Sequence, residues 1–363
     1  MTVKDPLQAI RQRIDELDQQ IQALINERAS CAQEVARIKQ KTDPDNQDGY
    51  YRPEREAQVL RTIQERNKGP LSNEEIARLF REIMSACLAL EEPLTIAFLG
   101  PEGTFTQAAA YKHFGHSVKT LSLAAIDEVF REVEAGAARY GVVPVENSTE
   151  GVINHTLDMF MQSPLQICGE VELRIHHNLI AINADIRKIK RVYSHQQSLA
   201  QCREWLDAKL PGVERVAVSS NAEAARLASE DKEGAAIAGE TAAEIYKLMI
   251  LVSNIEDDPD NTTRFLIIGN QRVAASGHDK TSLILSVNNH SGALQKLLLP
   301  FQQHDISMTK IESRPSRRGM WDYVFFVDVE GHRDDEGVKK ALDQLQENSS
   351  LLKILGSYPC AVL

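Results

Sequence analysis

The sequence predicts a multidomain protein with an all-α helical segment, then a two-lobed α/β segment, then an α+β segment of ferredoxin-like order. Three observations lead to this fold class. Apolar residues recur at helical spacing through residues 7–40, strand and helix patterns alternate through residues 93–270, and a βαββαβ order follows in residues 281–363. At 363 residues, the chain is also too long for one ordinary hydrophobic core.

The first segment, residues 1–92, is predicted to hold three helices. The apolar seam of the first helix runs through positions 7, 10, 14, 17, 21, 24, 28, 31, 35 and 38, which makes that helix about 50 Å long. A second helix starts near Pro53, and a third starts at Ser72, which forms a capping box with Glu75. Because three helices of such unequal length cannot close a core alone, we expect a dimer that shares the long helices.

Residues 93–270 are predicted to form two lobes with a cleft between them, because two stretches of α/β units follow one another. The strand candidates are 95–99, 141–145, 165–168, 179–182, 191–193, 213–218, 235–238 and 265–268, and the helix candidates are 105–114, 197–209, 221–230 and 240–249.

Residues 271–280 are predicted to be a linker, and residues 281–363 a separate domain. The order predicted there is strand 281–287, helix 292–302, strand 306–313, strand 321–329, helix 334–347 and strand 351–358.

Charge and cysteine content exclude several classes of function. The net charge of −11 argues against a nucleic-acid or membrane-surface partner. The five cysteines are scattered without a Cys-x-x-Cys pair, so we expect neither a disulfide framework nor a zinc site, and no metal or cofactor. No secretory signal or membrane-spanning run is evident, and we expect a cytoplasmic protein. An acidic protein that binds a small dianion must gather Arg and Lys locally.

Such a gathering is predicted on the first helix. Arg28 occupies a seam position where an apolar residue belongs, and a buried guanidinium requires an anionic partner. Lys39 lies at almost the same angular position three turns later. Arg11 lies about 25 Å before Arg28, so it reaches Arg28 only from the other chain of an antiparallel dimer. An ordinary ion pair with a nearby Glu is the alternative.

The α/β segment carries four motifs where strands end or begin. They are Gly100-Pro-Glu-Gly-Thr-Phe-Thr106, Val145-Glu-Asn-Ser148, Ser194-His-Gln-Gln-Ser-Leu-Ala-Gln-Cys202 and Asn261-Thr-Thr-Arg-Phe265. In open α/β sheets, ligands collect at the carboxyl ends of strands. Taken singly, each motif could be an ordinary turn or helix cap, and His177 could be a structural histidine.

Residues 5–92 resemble the all-helical chorismate mutase family. The resemblance implies that Arg11 of the partner chain, Arg28 and Lys39 grip a dicarboxylate, that Glu56 holds the substrate hydroxyl, and that Lys39 and Glu91 donate to the ether oxygen. Glu91 can donate only if it is protonated. Arg52 and Cys87 replace an Asp and a Ser of the family pattern. The implied substrate-binding set is Arg11, Arg28, Lys39, Arg52, Glu56, Cys87 and Glu91.

Residues 93–270 resemble prephenate dehydratase, which implies a periplasmic-binding-like fold. The resemblance implies that Thr263 is the catalytic residue that donates to the leaving hydroxyl. It also implies that Arg264 and the backbone amides of Gly103 and Thr104 bind the substrate carboxylates, and that Phe265 stacks against the substrate ring. A proton relay from Glu146 is a conjecture. The implied substrate-binding residues are Thr104, Glu146, Asn147, Ser148, His177, Ser194, Thr262, Arg264 and Phe265.

Residues 281–363 resemble an ACT domain, in which phenylalanine binds at an ACT–ACT interface as an end-product inhibitor. Ser291 stands where the family usually has Pro. The implied phenylalanine-binding residues are Asn289, Gly292, Ala293, Leu294, Glu312, Ser313, Arg314 and Pro315. A purely structural dimerisation module is the alternative for this domain.

Together the three resemblances imply that the chain converts chorismate to prephenate and prephenate to phenylpyruvate, under inhibition by phenylalanine. The implied assembly is a homodimer, with a tetramer left open. Two rival hypotheses stay open: a two-lobed small-molecule-binding regulator with an ACT domain, and an enzyme with one inactive site. The departures at Arg52 and Cys87 are the observations that keep the second rival open.

Overall fold

The computed structural model describes residues 6–42, 51–287, 290–315 and 323–363. The N-terminal segment holds three helices, α1 (Pro6–Thr42), α2 (Pro53–Arg66) and α3 (Asn73–Ala89). The single long helix predicted from the seam is confirmed. The capping box is also present, because the Ser72 hydroxyl accepts from the backbone N–H of Glu75 at 3.1 Å.

Helix α1 buries none of its side chains, and its apolar seam lies open. Leu24 is 64% exposed and Ile10 is 59% exposed. The buried face of α3 is not purely apolar, because Leu79 is 43% exposed whereas Arg81 and Ser85 are buried. Those two polar side chains face inward because α3 packs against the α/β segment through hydrogen bonds, from Arg81 to the Lys112 carbonyl and from the Ser117 N–H to Ser85.

The α/β segment forms two lobes around two sheets, as the sequence predicts. The first sheet has the order β2-β1-β3-β11-β5, with β4 paired to β3, and the second has the order β10-β6-β9-β7-β8. The chain leaves the first lobe after β5 and returns to it at β11, so two crossings connect the lobes. The strands are β1 (Thr95–Leu99), β2 (Lys119–Leu123), β3 (Tyr140–Asn147), β4 (Gly151–Val152), β5 (Gln166–Arg174), β6 (Asn178–Ala181), β7 (Arg191–His195), β8 (Glu214–Val218), β9 (Gly234–Ala238), β10 (Met249–Val252) and β11 (Thr262–Gly269).

Seven helices accompany these strands: α4 (Phe105–Phe114), α5 (Ile126–Glu134), α6 (Asn154–Gln162), α7 (Gln196–Gln201), α8 (Arg203–Lys209), α9 (Asn221–Glu230) and α10 (Glu240–Ile245) within the described part of the segment. The helix expected over 240–249 ends early. Lys247 has a φ of 55°, a left-handed conformation that a helix cannot continue through, and residues 249–252 form the edge strand β10.

The C-terminal domain has the predicted order, with β12 (Asp279–Ser286), α11 (Ala293–Gln303), β13 (Met308–Pro315), β14 (Tyr323–Glu330), α12 (Glu336–Asn348) and β15 (Leu351–Pro359). Its sheet has the order β13-β14-β12-β15. Alternation along β14 divides its side chains between two cores. Val327 and Val329 pack with the domain's own helices, whereas Val324 and Phe326 join the core of the first lobe.

This second contact is close. A Cβ atom placed on Gly356 of β15 would lie 2.2 Å from the Ile167 carbonyl oxygen of β5, so only glycine fits there. The C-terminal domain therefore shares a core with the first lobe. Within residues 6–42, 51–287, 290–315 and 323–363, no helix combines the length and the hydropathy that crossing a membrane requires.

Candidate active site

A cleft of about 530 Å³ lies between the two lobes. Its walls come from three sources: the strand ends of the first sheet, the two crossings between the lobes, and the starts of helices α4, α7 and α9. The polar residues that line it are Thr104, Thr106, Asn147, Glu150, His177, His195, Gln197, Ser198, Gln201, Ser219, Ser220, Asn221, Asn261 and Thr263. A concave cleft between two lobes, into which polar groups converge, is a common location for a small-molecule site.

Thr263 and Asn147 form a pair at the floor of this cleft. They lie opposite each other in the β11–β3 ladder, and Nδ2 of Asn147 donates to the Thr263 hydroxyl at 2.8 Å. Oδ1 of Asn147 accepts from the backbone N–H groups of Thr149 and Glu150 at 3.0 and 3.1 Å, which fixes the orientation of the amide. Because the Thr263 oxygen already accepts from Asn147, its own proton remains available for a group in the cleft.

His177 lies on the crossing from β5 to β6 and is 1% exposed. Its Nε2 lies 2.9 Å from Oε1 of Gln201, and its ring packs in a T-shaped arrangement with Phe105, with 5.6 Å between the ring centroids. Burial lowers the pKa of His177, so the ring is neutral near pH 7. With Nε2 donating to Gln201, Nδ1 is left as a buried acceptor without a hydrogen-bond partner in the described structure. Nδ1 can therefore accept a hydrogen bond from a bound molecule.

None of the described residues that line the cleft is Arg or Lys. The start of α4 supplies another source of positive potential. Thr104 is its N-cap, but the Thr104 hydroxyl donates to the Leu99 carbonyl at 3.1 Å and leaves the first-turn N–H groups without a side-chain cap. Such N–H groups favour anions. The Gly103 amide, expected on a carboxylate, donates instead to Gln107 at 2.6 Å.

The structure brings half of the expected dehydratase residues together. Those that line the cleft are Thr104, Asn147, His177, Thr263 and Phe265. Ser194 does not, because it is fully buried and its hydroxyl has the Asn221 Oδ1 and the Ile237 carbonyl oxygen as acceptors at 2.9 and 3.0 Å. Ser148 and Thr262 lie outside the cleft lining, where the Ser148 hydroxyl accepts from the Thr262 N–H at 3.0 Å.

Arg264 and Glu146 also depart from the sequence expectation. Side chains alternate along a strand, so the residues next to Thr263 and Asn147 point to the opposite side of the sheet. We call that side the back face of the β3–β11 pair. There Arg264 contacts Glu170 and Asp328, and Glu146 contacts Lys310. Neither side chain is among those that line the cleft.

Part of the expected mutase site assembles around the end of α3. The half-buried Glu91 interacts electrostatically with Lys39 and Arg28 of α1. Burial raises the pKa of Glu91, while the two cations lower it, and the net direction is upward. Arg11 lies exposed near the start of α1, Arg52 is the N-cap of α2, and Cys87 is buried.

Glu56 lies elsewhere, which corrects the expectation that it joins this site. Its carboxylate is 3.3 Å from Nε of Arg81, between α2, α3 and the first lobe. Burial raises the pKa of Glu56, with Arg81 and Tyr51 opposing the rise. The Tyr51 hydroxyl lies 3.2 Å from Nε2 of His113 on α4. This cluster joins the helical segment to the first lobe. Sequence reasoning missed it because no local pattern pairs residues so far apart.

The residues expected to bind phenylalanine lie at one end of the C-terminal sheet. Arg314 of β13 is paired with Val324 of β14, which is paired with Ser286 at the end of β12, just before the loop to α11. Gly292 is the left-handed N-cap of α11, followed by the buried Ala293 and the exposed Leu294. Glu312, Ser313 and Pro315 lie on β13, and Asn289 lies outside the described residues.

Arg314 departs from the expected role. Its guanidinium is 2.8 Å from Asp158 and donates to the Asn154 carbonyl at 2.5 Å, both on α6 of the first lobe. The alternation of β13 directs Lys310 and Arg314 to the first lobe and leaves Ile311 and Ser313 exposed. The two basic side chains therefore fasten the edge of the C-terminal sheet to the α/β segment.

Comparison with known proteins agrees with this architecture. The chain matches family models described as chorismate mutase type II over residues 10–92, prephenate dehydratase over residues 96–273 and ACT domain over residues 281–347. A bifunctional chorismate mutase/prephenate dehydratase from Stutzerimonas stutzeri is 60% identical over 365 residues, which cover 100% of both chains.

Two solved structures are similar in fold. One is a prephenate dehydratase in complex with L-Phe from Arthrobacter aurescens, with a TM-score of 0.68, 34% identity and coverage of 73% of this chain and 90% of that one. The other is GqqA, described as a quorum quenching acylase, with a TM-score of 0.68, 30% identity and coverage of 74% and 98%.

The helical segment, the two-lobed segment with its polar cleft, and the attached βαββαβ domain define a multidomain enzyme with a regulatory domain. The family is shown by the full-length match. The chain belongs to the bifunctional chorismate mutase/prephenate dehydratase family.

Proposed function

We propose that this chain converts chorismate to prephenate in its helical segment and prephenate to phenylpyruvate in its interlobe cleft, under inhibition by phenylalanine. The observation that carries the proposal is the Thr263–Asn147 pair in the cleft of a chain that matches a bifunctional relative along its whole length. Because the match to the bifunctional relative includes the helical segment, we base the proposed function on that relative and not on the acylase description of GqqA.

In the dehydratase step, the bond from the ring to its carboxylate breaks, and its electron pair forms a ring double bond as carbon dioxide leaves. The carbon–oxygen bond of the ring hydroxyl breaks at the same time, and the oxygen takes a proton to leave as water. The Thr263 hydroxyl, held by Asn147, is directed to donate to that oxygen. The α4 N-terminus would hold a carboxylate, and the buried Phe265 forms an apolar wall for the ring.

In the mutase step, no nucleophile or proton transfer is required, so the site has to fold the substrate and stabilise charge on the breaking ether oxygen. Arg28 supplies a cation for a carboxylate. Lys39 and a protonated Glu91 are the donors proposed for the ether oxygen, and the raised pKa of Glu91 supports that protonation state.

We further propose that a second copy of the chain completes the mutase site. The seam of α1 exposes a row of large apolar side chains along one helix, and contiguous exposed apolar surface marks an interaction site. An antiparallel pairing of two α1 helices would bring the partner's Arg11 to Arg28. Pairing of such dimers through the C-terminal domain would give a tetramer, with phenylalanine bound between Gly292–Leu294 and Glu312–Ser313. A cytoplasmic location is proposed on the free cysteines.

The test is to give the purified full chain chorismate and prephenate separately and to quantify prephenate and phenylpyruvate. The Arg28→Ala variant should lose mutase turnover by about 100-fold, as expected when a charge-assisted contact is removed, and should keep dehydratase turnover on supplied prephenate. Phenylalanine should bind the full chain in calorimetry and inhibit phenylpyruvate formation. A wild-type chain that forms neither product would refute the proposal.

A further inference from the structure

The catalytic pair and the back-face charges belong to the same two strands. Thr263 is opposite Asn147 in the ladder, and Arg264 is opposite Glu146. Thr263 and Asn147 face the cleft, whereas Arg264 and Glu146 face the C-terminal domain. The ladder register shifts between Arg264 and Phe265, so the regular pairing of β11 with β3 is interrupted just beyond these residues. The geometry of Thr263 therefore depends on how its neighbour Arg264 is held.

Arg264 is held by three groups. Its Nε donates to Glu170 of β5 at 2.9 Å, one terminal nitrogen donates to Asp328 of β14 at 2.6 Å, and the other donates to the Tyr358 hydroxyl of β15 at 3.0 Å. The side chain is only 12% exposed. Two of the three partners belong to the C-terminal sheet, so that sheet and the first lobe share one guanidinium.

The surrounding groups hold these partners in turn. Ser282 of β12 donates to Asp328 at 2.5 Å, and Lys280 donates to Glu170 at 2.8 Å. Lys310 of β13 donates to Glu146 at 2.8 Å, which anchors the second strand of the pair. Every strand of the C-terminal sheet thus supplies a polar contact to this network. A buried charge that loses one partner is costly, so the network specifies one arrangement of the two sheets.

We infer that Arg264 is a positioning residue for Thr263, and that the C-terminal sheet is the anchor that aligns the Thr263–Asn147 pair with the cleft. This inference rests on the proposed dehydratase function. It makes turnover depend on contacts on the side of the sheet opposite the cleft. It also gives ligand binding to the C-terminal domain a direct route to the reacting hydroxyl, because a shift of β13 or β14 displaces Glu146 or Arg264.

The experiment uses the full chain and two variants that leave the cleft untouched, Asp328→Asn and Lys310→Met. The matched control is Asp334→Asn, which removes an exposed ion pair with Arg272, 2.7 Å long, between the end of the α/β segment and the same C-terminal domain. For each protein, kcat and KM for prephenate are measured with and without phenylalanine. Phenylalanine binding is measured by calorimetry, and mutase turnover reports whether the fold is intact.

Both test variants should lose about fivefold in kcat, the size of a typical coupling effect, with KM changed by less than about twofold. Phenylalanine should still bind them but should inhibit them much less than the control. If both variants match Asp334→Asn in kcat and in inhibition, the inference is overturned. If Asp328→Asn also loses mutase turnover, its fold is damaged, and Lys310→Met alone decides, since Glu146 is 38% exposed and tolerates the loss. A wild type inactive on prephenate refutes the proposed function instead.

Discussion

At the scale of single residues, strand alternation decides which members of a motif reach the cleft. Asn261, Thr263 and Phe265 line it, whereas Thr262 and Arg264 do not. Sequence reasoning treated the five consecutive residues as one cluster around one ligand. The motif's importance was predictable from its residue types, but the separation of its members onto two faces required the strand to be located to the residue.

Thr263→Ala should lower kcat for prephenate by about 100-fold or more, as loss of a single transition-state donor does, with KM nearly unchanged. The reason is that the Thr263 proton is needed by the leaving oxygen, a contact that matters mainly in the transition state. Steady-state kinetics on prephenate test this. Thr262→Ala is the matched control, because the neighbouring hydroxyl lies outside the cleft lining. Equal losses in both variants would contradict the assignment.

Mutase turnover should fall as the pH rises through the pKa of Glu91. Burial raises that pKa, with Lys39 and Arg28 opposing, so the carboxyl stays protonated to higher pH than an ordinary Glu and loses its donor proton above that point. Glu91→Gln carries a permanent donor of the same shape and should flatten the profile above neutrality. The measurement is mutase turnover against pH in both proteins, and superimposable profiles would remove Glu91 as the donor.

At the scale of elements, the apolar seam of α1 and the Ser caps of α3 and α9 were enough to predict those three helices. Helix α5 was missed although its buried residues Ile126, Val129, Phe130 and Val133 follow helical spacing, whereas two missed strands lack any clear pattern. Strand β2 is a short run of mixed polarity, and β10 follows Lys247, whose positive φ stops the preceding helix without a Gly or Pro to mark the place. The sequence also predicts that α1 packs against another helix, because an apolar repeat with 3-4 spacing is most stable when a second helix covers it.

Leu24→Glu should dissociate the proposed dimer and abolish mutase turnover while leaving dehydratase kcat within about twofold. Leu24 is 64% exposed in the single chain, so the substitution disturbs little inside one chain and places a charge in a helix–helix interface. Light scattering after size exclusion gives the assembly state. Gln22→Glu adds the same charge beside the seam and should behave as wild type. A Leu24→Glu protein that remains a fully active dimer would exclude this seam as the interface.

At the scale of the whole molecule, the three segments are joined by side chains that no local pattern connects. Tyr51 belongs to the core of the first lobe, and Tyr358 belongs to the core shared with the C-terminal domain. The sequence predicts the order of helices and strands within each segment well, because local hydrophobic periodicity determines that order. The sequence does not predict the cores shared between segments, since these depend on how the surfaces of the folded segments pack against each other.

Gly356→Ala should lower thermal stability by several degrees. The added methyl would meet the Ile167 backbone at 2.2 Å and force β15 away from β5, an overpacking cost of about 1–3 kcal/mol. Calorimetric unfolding of the full chain measures the effect. Gly337→Ala is the control, because its new methyl would lie 3.4 Å from the nearest atom, the His304 carbonyl oxygen, and alanine favours the helix. An unchanged melting temperature in Gly356→Ala would show that the interface tolerates separation.

The core shared by the first lobe and the C-terminal domain limits how this protein can be rebuilt by engineering. From the sequence alone, the regulatory domain is predicted to be a separate module of residues 281–363 that follows a linker at 271–280. Exchanging it for a domain with another ligand preference would expose Leu266 and Ile167 on one side and orphan the Arg264 charge on the other. A workable chimera would keep the inner faces of β12, β14 and β15 from this chain and graft only the outer face, with α11 and the exposed side of β13.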